Sequence, residues 1–211
     1  MTWTSGDGMP WNLKSILASP VAYELLQTFF GYRARFAREY VRADENTRIL
    51  DIGCGPARIL DYLPHGVQYV GFDMSERYIA AARARYGHRA EFHCALVGTQ
   101  EFAIEPCDVA LAVGVLHHLD DAAAVTLFEG ASAHLKSEGT LVTLDPAFAA
   151  DQCRAARWFA RHDRGAHVRS VEEYRRLADR TFSTVDVSVV SDLYSVPYTI
   201  CIMRCSARKN V

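Results

Sequence analysis

Residues 48–60 read RILDIGCGPARIL, and this stretch decides the fold of the chain. Its first part, residues 49–52, is apolar apart from one carboxylate and predicts a buried β-strand. Gly53 and Gly55 follow, and they let the backbone pass close beneath a ligand where a Cβ would collide. Pro56 suits the first position of a helix, because the N–H that it lacks would be unpaired there. The stretch therefore predicts a strand, a turn and a helix whose amides face a ligand above the strand end.

The residues around this turn favour one class of nucleotide ligand over another. Asp51 places a carboxylate at the mouth of the turn, which favours a cation over a pyrophosphate. The dinucleotide fingerprint requires a third glycine three residues after the second, and this position is Arg58. A nicotinamide enzyme also normally needs a second domain, for which 211 residues leave little room. The predicted ligand is a nucleoside that carries an ammonium or sulfonium group.

A second carboxylate follows the next predicted strand. Residues 67–72 alternate and are rich in β-forming side chains, and Asp73 comes directly after them. An acid at the tip of the second strand can accept hydrogen bonds from both ribose hydroxyls. Ser75 is an N-cap residue type and predicts a helix over 75–85.

Composition limits the class of protein. The net charge of −2 argues against a general nucleic-acid binder. No apolar run approaches the roughly 20 residues of a membrane-spanning helix, and the chain does not open with the basic and apolar regions of a signal peptide. Six cysteines without paired Cys-x-x-Cys spacing are expected to be reduced thiols. We expect one cytoplasmic domain over residues 1–211, monomeric or homodimeric, with no nucleic-acid or membrane partner.

Predicted strands and helices alternate along most of the chain, which indicates an α/β fold with a parallel sheet covered by helices on both faces. The strands are predicted at 48–52, 67–72, 90–94, 108–113 and 139–144, and the helices at 57–63, 75–85 and 121–135, after a helical region over 12–41.

The last part of the chain has a different pattern. Helices are predicted over 152–162 and 171–180, followed by strands over 182–190 and 198–205. The link at 191–197 is too short for a crossover helix, so the two strands should pair antiparallel.

Two segments resemble sequence motifs of one enzyme family. Residues 48–60 resemble motif I, and residues 69–75 resemble motif II, of the class I S-adenosylmethionine-dependent methyltransferases. The resemblance covers roughly residues 20 to 205, and its motifs are specific as a set. It implies a Rossmann-like, three-layer α/β/α fold with a mostly parallel seven-stranded sheet and a C-terminal antiparallel hairpin. It also implies S-adenosylmethionine as the cofactor, with S-adenosylhomocysteine as the product.

The resemblance implies a set of cofactor-binding residues at the carboxyl ends of the first four strands. One departure is Leu96, which stands where relatives commonly place an acid that accepts a hydrogen bond from adenine. The implied set is Asp51, Gly53, Cys54, Gly55, Asp73, Met74, Ala95, Leu96, Val113 and Gly114.

The fourth strand leads into residues 113–121, VGVLHHLDD. Small-molecule members of the family often carry Leu-His-His-Leu-Asp here, beside the sulfonium and the methyl acceptor. A neutral imidazole can accept a proton near pH 7, and we favour His118 slightly over His117. Some related O-methyltransferases hold a divalent metal on acids at the positions of Gly114 and His117. Neither residue supplies a carboxylate, so we expect no metal.

Two helical regions are expected to cover the acceptor site. One is an N-terminal lid, residues 1–45, in which Tyr23 is the candidate hydroxyl for the reaction centre and for acceptor contact. The other is an insertion over residues 146–180, where residues 163–169 resemble an Asp-Arg-Gly-x-x-Val-Arg signature of small bacterial methyltransferases. There, Arg164 and Arg169 either bind an acceptor carboxylate or fix the lid through ion pairs.

Three further residues are predicted to contact the acceptor. Asp145 ends the fifth strand at the functional edge of the sheet, and Tyr194 and Tyr198 belong to the terminal hairpin.

The sequence thus predicts a small-molecule methyltransferase that works by direct displacement. The acceptor is expected to be an aromatic or heteroaromatic bacterial metabolite, methylated on an indole or phenol carbon, a phenolic oxygen or an amine. The alternative is a non-catalytic member of the fold that binds the cofactor or serves as a scaffold. Asp51, Gly53, Gly55 and Asp73 argue against that alternative, and Leu96 is in its favour.

Overall fold

A computed structural model of the chain describes residues 32–96, 104–194 and 196–209. Its centre is one mixed sheet with the strand order β3-β2-β1-β4-β5-β8-β7, to which a short strand β6 is added beside β5. The strands are β1 (Arg48–Ile52), β2 (Gln68–Asp73), β3 (Ala90–Cys94), β4 (Cys107–Val113), β5 (Leu135–Phe148), β6 (Arg169–Ser170), β7 (Phe182–Val190) and β8 (Ile200–Arg208).

The sheet is parallel except at its C-terminal end. Strands β1 to β5 pair parallel with their neighbours, whereas β8 runs antiparallel to both β5 and β7. This arrangement confirms the predicted parallel sheet with a reversed terminal hairpin. The two-residue strand β6, parallel to the end of β5, was not predicted, because two residues carry no periodic signal.

Helices cover both faces of the sheet. Ser75 caps its helix as predicted, since its hydroxyl accepts the backbone N–H of Tyr78. The helices are α1 (Tyr32–Phe36, continued by a π-helical turn over Ala37–Val41), α2 (Glu76–Tyr86), α3 (Asp121–His134), α4 (Arg154–Arg161) and α5 (Val171–Ala178), with 3₁₀ turns at Arg58–Tyr62 and Leu116–His118.

The helix after the glycine turn differs from the prediction. It starts at Arg58, not at Pro56, and it is a 3₁₀ helix that ends at Tyr62. Ala57, fully buried, has a left-handed backbone with φ of 53°. A residue in that conformation cannot belong to a right-handed helix, so Pro56 lies in the turn and not in the helix.

Strand β5 is longer than the predicted 139–144. It runs from Leu135 to Phe148, because β4, β6 and β8 all pair with parts of it. Cys107 of β4 pairs with Leu135 at one end, and Ile200 of β8 pairs with Pro146 near the other. Such pairing is tertiary, and the local residues 135–138 do not indicate it.

The core has one half on each face of the sheet. Ile49 packs on one face with α1 and α2, and Leu50 packs on the other with α3 and α5. Alternation along a strand then places Asp51 on the face of Ile49, where Tyr32 and Tyr69 are buried. The carboxylate of Asp51 therefore lies inside the protein and not at its surface.

The structure bears on two predictions from the sequence, the reduced cysteines and the absence of a membrane-spanning helix. All six cysteines lie in the described part of the chain, and they are free thiols. Among the described residues, no helix has both the length and the apolar character that crossing a membrane requires. The predicted lid is described only from residue 32 onward, so Tyr23 lies outside the described residues.

Candidate functional site

The backbone N–H groups of the glycine turn after β1 are hydrogen-bonded within the protein. The N–H groups of Gly53 and Cys54 donate to the carbonyl of Phe72 at 2.7 and 2.9 Å, and the N–H of Gly55 donates to Oδ2 of Asp73 at 2.9 Å. The expectation of amides facing a ligand is therefore wrong for these residues. Phosphate-binding turns depend on free amides, so this turn does not offer the usual cradle for a pyrophosphate.

Asp51 lies under this turn and is 3% exposed. Tyr69 donates its phenolic hydrogen to Oδ2 of the carboxylate, while Oδ1 is buried without a hydrogen-bond partner among the described residues. Burial, helped by the charge of Asp73 and opposed by the Tyr69 bond, raises the pKa of Asp51 to about 7. A buried carboxylate with an unused oxygen favours a cationic partner, which would offset the cost of its burial.

Two glycines lie above the strand ends. Gly55 has φ of 52°, and a Cβ built on it meets no atom of the described residues within 4 Å. Gly114, after β4, has φ of 70°, and among the described residues a Cβ there meets only Cε1 of His117, at 3.7 Å. Left-handed backbone favours glycine at both positions.

Asp73 is oriented at the tip of β2 by two backbone groups. Besides the bond from Gly55, its Oδ1 accepts the N–H of Ser75 at 2.8 Å. Each carboxylate oxygen keeps acceptor capacity for a further hydrogen bond. Beside it, Met74 is 69% exposed and Leu96, after β3, is 52% exposed. Two neighbouring strand ends therefore present an oriented acid between apolar side chains.

His117 lies between two carboxylates. Its Nδ1 is 2.7 Å from Oδ1 of Asp145, which also accepts the backbone N–H of His117 at 3.1 Å. Its Nε2 is 3.3 Å from Oδ1 of Asp163, and the hydroxyl of Tyr198 donates to Oδ2 of that residue. Burial raises the pKa of Asp145, and the contacts with His117 oppose this rise. Strand β5 and the segment after α4 thus meet at one imidazole.

His118 has a different environment from its neighbour. Its residue is exposed, and its ring centroid lies 4.0 Å from that of His117. Partial burial lowers the pKa of His118 below the usual 6.5, with His117 and Arg164 adding to this effect and Asp163 opposing it. His118 is therefore neutral near pH 7.

Residues 163–169, here called the clasp segment, contact residues 115–119, here called the histidine loop. The N–H of His167 donates to the carbonyl of His117 at 2.9 Å. Gly165 packs directly on His117, and a Cβ at this position would overlap its ring and its carbonyl. The N–H of Gly165 donates to Oδ1 of Asp163 at 2.8 Å, which orients the carboxylate.

Arg169 ends the clasp segment and is 7% exposed. Its guanidinium donates to the carbonyls of Leu116 and Leu119 at 2.9 and 2.7 Å, and to Oδ1 of Asp121 at 2.7 and 3.0 Å. Of the two roles considered for Arg169, these contacts favour ion pairing within the protein over recognition of an acceptor. Arg164, in contrast, is exposed.

Aromatic rings extend from the clasp segment toward α1. Tyr198 lies 5.9 Å from Phe159 of α4 and 5.9 Å from Tyr194, and Tyr194 lies 4.7 Å from Tyr32, all between ring centroids. Trp158 adds a ring 5.2 Å from Phe159. The two hairpin tyrosines named from the sequence thus lie together, and Tyr198 contacts Asp163.

The structure gathers most of the predicted residues and adds two. Val113 ends β4, Cys54 lies within the glycine turn and Ala95 follows β3, each partly buried. Asp163 and Gly165 were not singled out from the sequence, although the Asp-Arg-Gly signature contains both. Within the described residues, no group of three or more His, Cys, Asp or Glu side chains is arranged to hold a metal ion.

Comparison with known proteins agrees with this geometry. Residues 49–139 match a family model described as a methyltransferase domain. Comparison with curated protein sequences gives no significant match. Among solved structures, the chain is similar to a TehB-like SAM-dependent methyltransferase from Corynebacterium glutamicum, at 15% identity and a TM-score of 0.63, over 93% of this chain and 100% of that one.

Two further structures are similar over most of this chain. The mitomycin 7-O-methyltransferase MmcR has 19% identity and a TM-score of 0.67 over 92% of this chain, which spans 60% of MmcR. The plantazolicin methyltransferase BpumL, solved with a triazolic desmethylPZN analog and SAH, has 13% identity and a TM-score of 0.62, over 92% of this chain and 94% of BpumL. At these identities the likeness establishes the fold.

Proposed function

We propose that the chain is a class I S-adenosylmethionine-dependent methyltransferase that methylates a small aromatic or heteroaromatic molecule. The methyltransferase domain matched over residues 49–139 and the fold support this proposal. The cofactor supplies a methyl group bound to a positively charged sulfur, which needs no metal to be electrophilic. The protein must bind the cofactor and the acceptor, orient the acceptor and exclude water. It must also accept a proton where the acceptor has one to lose.

The observation that carries the proposal is the buried Asp51 beneath an open glycine turn. An unpartnered carboxylate oxygen in the core is costly, and proteins keep such a group mainly where a ligand completes it. The ammonium group in the amino-acid part of the cofactor matches this acid. A pyrophosphate would instead face a like charge and a turn whose amides are already bonded.

The nucleoside part of the cofactor fits the next two strand ends. Asp73 is held by Gly55 and Ser75 with capacity to accept ribose hydroxyls. The exposed side chains of Met74 and Leu96 give a flat base apolar surfaces to pack on, which offsets the missing acid at position 96. We therefore assign adenine to this part of the sheet edge.

The acceptor site is proposed at the aromatic side chains of the hairpin and α4. An aromatic acceptor could pack against the rings of Tyr194, Tyr198 and Phe159. These rings already pack on each other with centroids 5.9 Å apart, within the 4.5–7 Å usual for aromatic pairs. Structural neighbours include a mitomycin 7-O-methyltransferase and a pyocyanin biosynthetic protein. These names support a small metabolite as the acceptor class of this chain.

Direct displacement needs the acceptor atom, the methyl carbon and the sulfur in line. Positioning alone supplies up to roughly 7–11 kcal/mol in well-oriented systems. A base is needed only for an acceptor that must lose a proton, such as a phenol. His118, His117 and Tyr23 are the candidates, and the two histidines lie beside the Gly114 turn.

Calorimetry with S-adenosylhomocysteine tests the proposal. We expect binding by the wild type, and a loss of at least tenfold in affinity for Asp73→Ala, because a hydrogen bond to a charged group contributes about 1.5–3 kcal/mol. Asp186→Ala, on the far strand β7, is the matched control and should bind as the wild type does. His118→Ala should keep the affinity and lose methyl transfer to a phenolic acceptor.

Absence of binding by the folded wild type would refute the enzyme and support the non-catalytic scaffold instead. Equal binding by Asp73→Ala and the wild type would show that the cofactor site is misplaced. Circular dichroism of each variant separates a lost site from a lost fold.

A further inference from the structure

We propose that Tyr69 is a positioning residue for cofactor binding: its buried hydroxyl holds Oδ2 of Asp51 and leaves Oδ1 as the oxygen that accepts the ammonium group of the cofactor. The inference deepens the proposed function and rests on it, since the ammonium group is present only if the cofactor binds. Tyr69 lies inside β2, before the acid at its tip, and nothing in its spacing indicates a role in ligand binding.

The strands on either side of Asp51 place no hydrogen-bond donor directly opposite it. In the parallel register, Asp51 lies opposite Gly71 of β2 and opposite Leu111 of β4. Glycine has no side chain, and Leu111 is apolar and buried. Residues two apart on a strand share a face, so the side chains of β2 on this face are Tyr69 before the glycine and Asp73 after it. Asp73 adds a like charge, which leaves Tyr69 as the donor.

The space over Gly71 is already filled. A Cβ at this position would lie 2.8 Å from Sγ of Cys54 and 3.0 Å from Cδ1 of Phe92, which leaves no room for a side chain. The ring of Tyr69 packs on Phe92, with centroids 5.9 Å apart, and Tyr69 is 2% exposed. Strand β2 therefore supplies the hydroxyl from Tyr69, because the position beside Asp51 cannot carry a donor itself.

The hydrogen bond between Tyr69 and Asp51 has one direction. Burial, with the charge of Asp51 adding to it, raises the pKa of Tyr69 well above its usual 10. The phenol therefore keeps its hydrogen and donates it to Oδ2. A hydrogen bond to the charged form of an acid favours that form, so the bond opposes the rise that burial gives to the pKa of Asp51, which reaches about 7.

Three further titratable groups of the described structure act on Asp51 or feel its charge. They are Asp73 of β2, Cys54 of the glycine turn and Tyr32 of α1. Burial raises the pKa values of the Cys54 thiol and the Tyr32 phenol, so both are neutral near pH 7. Asp73 disfavours a second negative charge. None of these groups is a cation, so the hydroxyl of Tyr69 is what supports the ionised acid before a ligand arrives.

The two oxygens of Asp51 thereby have different tasks. Oδ2 accepts the hydroxyl of Tyr69, whereas Oδ1 is buried without a partner among the described residues. With one oxygen held, the carboxylate presents the other in a fixed direction. An ammonium group would complete Oδ1 with a charge-assisted hydrogen bond, which is stronger than a bond between neutral groups.

Carbon NMR of protein labelled at aspartate Cγ tests the role of Tyr69 without a cofactor. We expect Asp51 to titrate near pH 7 in the wild type, with its signal assigned by its loss in Asp51→Asn. In Tyr69→Phe the midpoint should rise by about one to two pH units, because a hydrogen bond to a charged group is lost. Tyr86→Phe is the matched control. Tyr86 belongs to the same half of the core, but its hydroxyl contacts Arg85, so Asp51 should titrate there as in the wild type.

Calorimetry with S-adenosylhomocysteine measures the consequence for binding. At pH 7 the affinity of Tyr69→Phe should be lower than that of the wild type by on the order of tenfold. Between pH 7 and pH 8.5, the affinity of the wild type should rise about twofold and that of Tyr69→Phe on the order of tenfold, since the carboxylate of the variant ionises in this range. A general structural defect would instead lower the affinity equally at both pH values.

An unchanged midpoint of Asp51 in folded Tyr69→Phe overturns the proposal, and so does an affinity equal to that of the wild type at pH 7. If Tyr69→Phe does not fold, the wild type labelled at tyrosine Cζ takes its place. The signal of Tyr69 should then move with pH around 7, and it should not do so in Asp51→Asn. A signal that stays fixed in the wild type overturns the proposal.

Failure of the wild type to bind S-adenosylhomocysteine would refute the proposed function and, with it, the ligand assigned to Oδ1. The titration of Asp51 separates the two cases, because it shows whether Tyr69 supports the charge of this acid in the protein without a ligand.

Discussion

The ionised form of Asp51 is disfavoured by burial in the protein. Burial raises its pKa to about 7, and one of its oxygens has no partner in the described structure. Buried groups with perturbed pKa values concentrate at functional sites, because a ligand can supply the hydrogen bond or charge that the fold does not provide. The ammonium group of the cofactor would favour the ionised form of Asp51, so binding and deprotonation are coupled.

This coupling predicts that cofactor affinity depends on pH. With a pKa of about 7, Asp51 is mostly ionised at pH 8 and about one-tenth ionised at pH 6, so the affinity for S-adenosylhomocysteine should fall about tenfold between them. Calorimetry at the two pH values measures this change. In Asp51→Asn the affinity should be low and flat. An equally steep change in that variant would assign the dependence to another group.

At the scale of elements, the clasp segment joins parts that are distant in sequence. Gly165 packs on the ring and the carbonyl of His117, and Arg169 binds carbonyls of the histidine loop from the other end of the segment. The segment follows α4 and precedes α5, and these contacts connect the helical insertion to the histidine loop.

Substitution of Gly165 should disturb this contact selectively. Because a Cβ would overlap His117, we expect Gly165→Ala to lower the free energy of unfolding by about 1–3 kcal/mol and to reduce methyl transfer, with affinity for S-adenosylhomocysteine retained. In Gly130→Ala, in α3, the added Cβ meets no atom of the described residues outside the helix's own backbone within 4 Å, and the change should stabilise by about 0.5–1 kcal/mol. Urea unfolding compares the two. A Gly165→Ala protein as stable and active as the wild type would contradict the close packing.

Arg169 should contribute to stability and not to acceptor binding. Arg169→Ala removes the donor to the carbonyl of Leu119, and such a loss costs about 1–3 kcal/mol where the group is buried. The carbonyl of Leu116 keeps the N–H of Leu119. Arg175→Ala removes an exposed ion pair with Asp179 and should cost about 0–1 kcal/mol. Thermal unfolding measures both. If Arg169→Ala retained full stability but lost only acceptor affinity, the recognition role would be restored.

At the scale of the whole molecule, the buried acid Asp51, proposed to bind the cofactor, lowers the stability of the protein as the pH rises. A carboxyl group whose pKa is raised on folding, here from 3.8 to about 7, keeps its proton in the folded state at pH values where the unfolded chain has lost it. The contribution of protonated Asp51 to the free energy of unfolding is therefore fully present below pH 4, and it is lost as the pH rises to 7.

This sign can be measured by comparing Asp51→Asn with the wild type. As the pH rises from 4 to 7, the wild type should lose stability relative to the variant by on the order of 1 kcal/mol for each pH unit, because the amide does not ionise. Urea unfolding in buffers across this range gives the difference. A constant difference across it would show that Asp51 is not perturbed in the folded protein.

The sequence determined the parts of this protein that local chemistry controls. Period-two runs and a 3.6-residue pattern located the strands and helices, and the short link before β8 required a reversed hairpin. The glycine turn with Asp51, and Asp73 one strand later, indicated a cationic nucleoside, because residue types at strand ends carry this information locally.

Tertiary structure alone decided how these residues are used. Asp163 lies 46 residues after His117, and neither position reveals that their side chains meet. The buried state of Asp51, the consumed amides of its turn and the internal contacts of Arg169 also depend on partners from other elements. Hydrogen bonding and burial are set by what the fold brings within about 3 Å, and sequence spacing does not encode such distances.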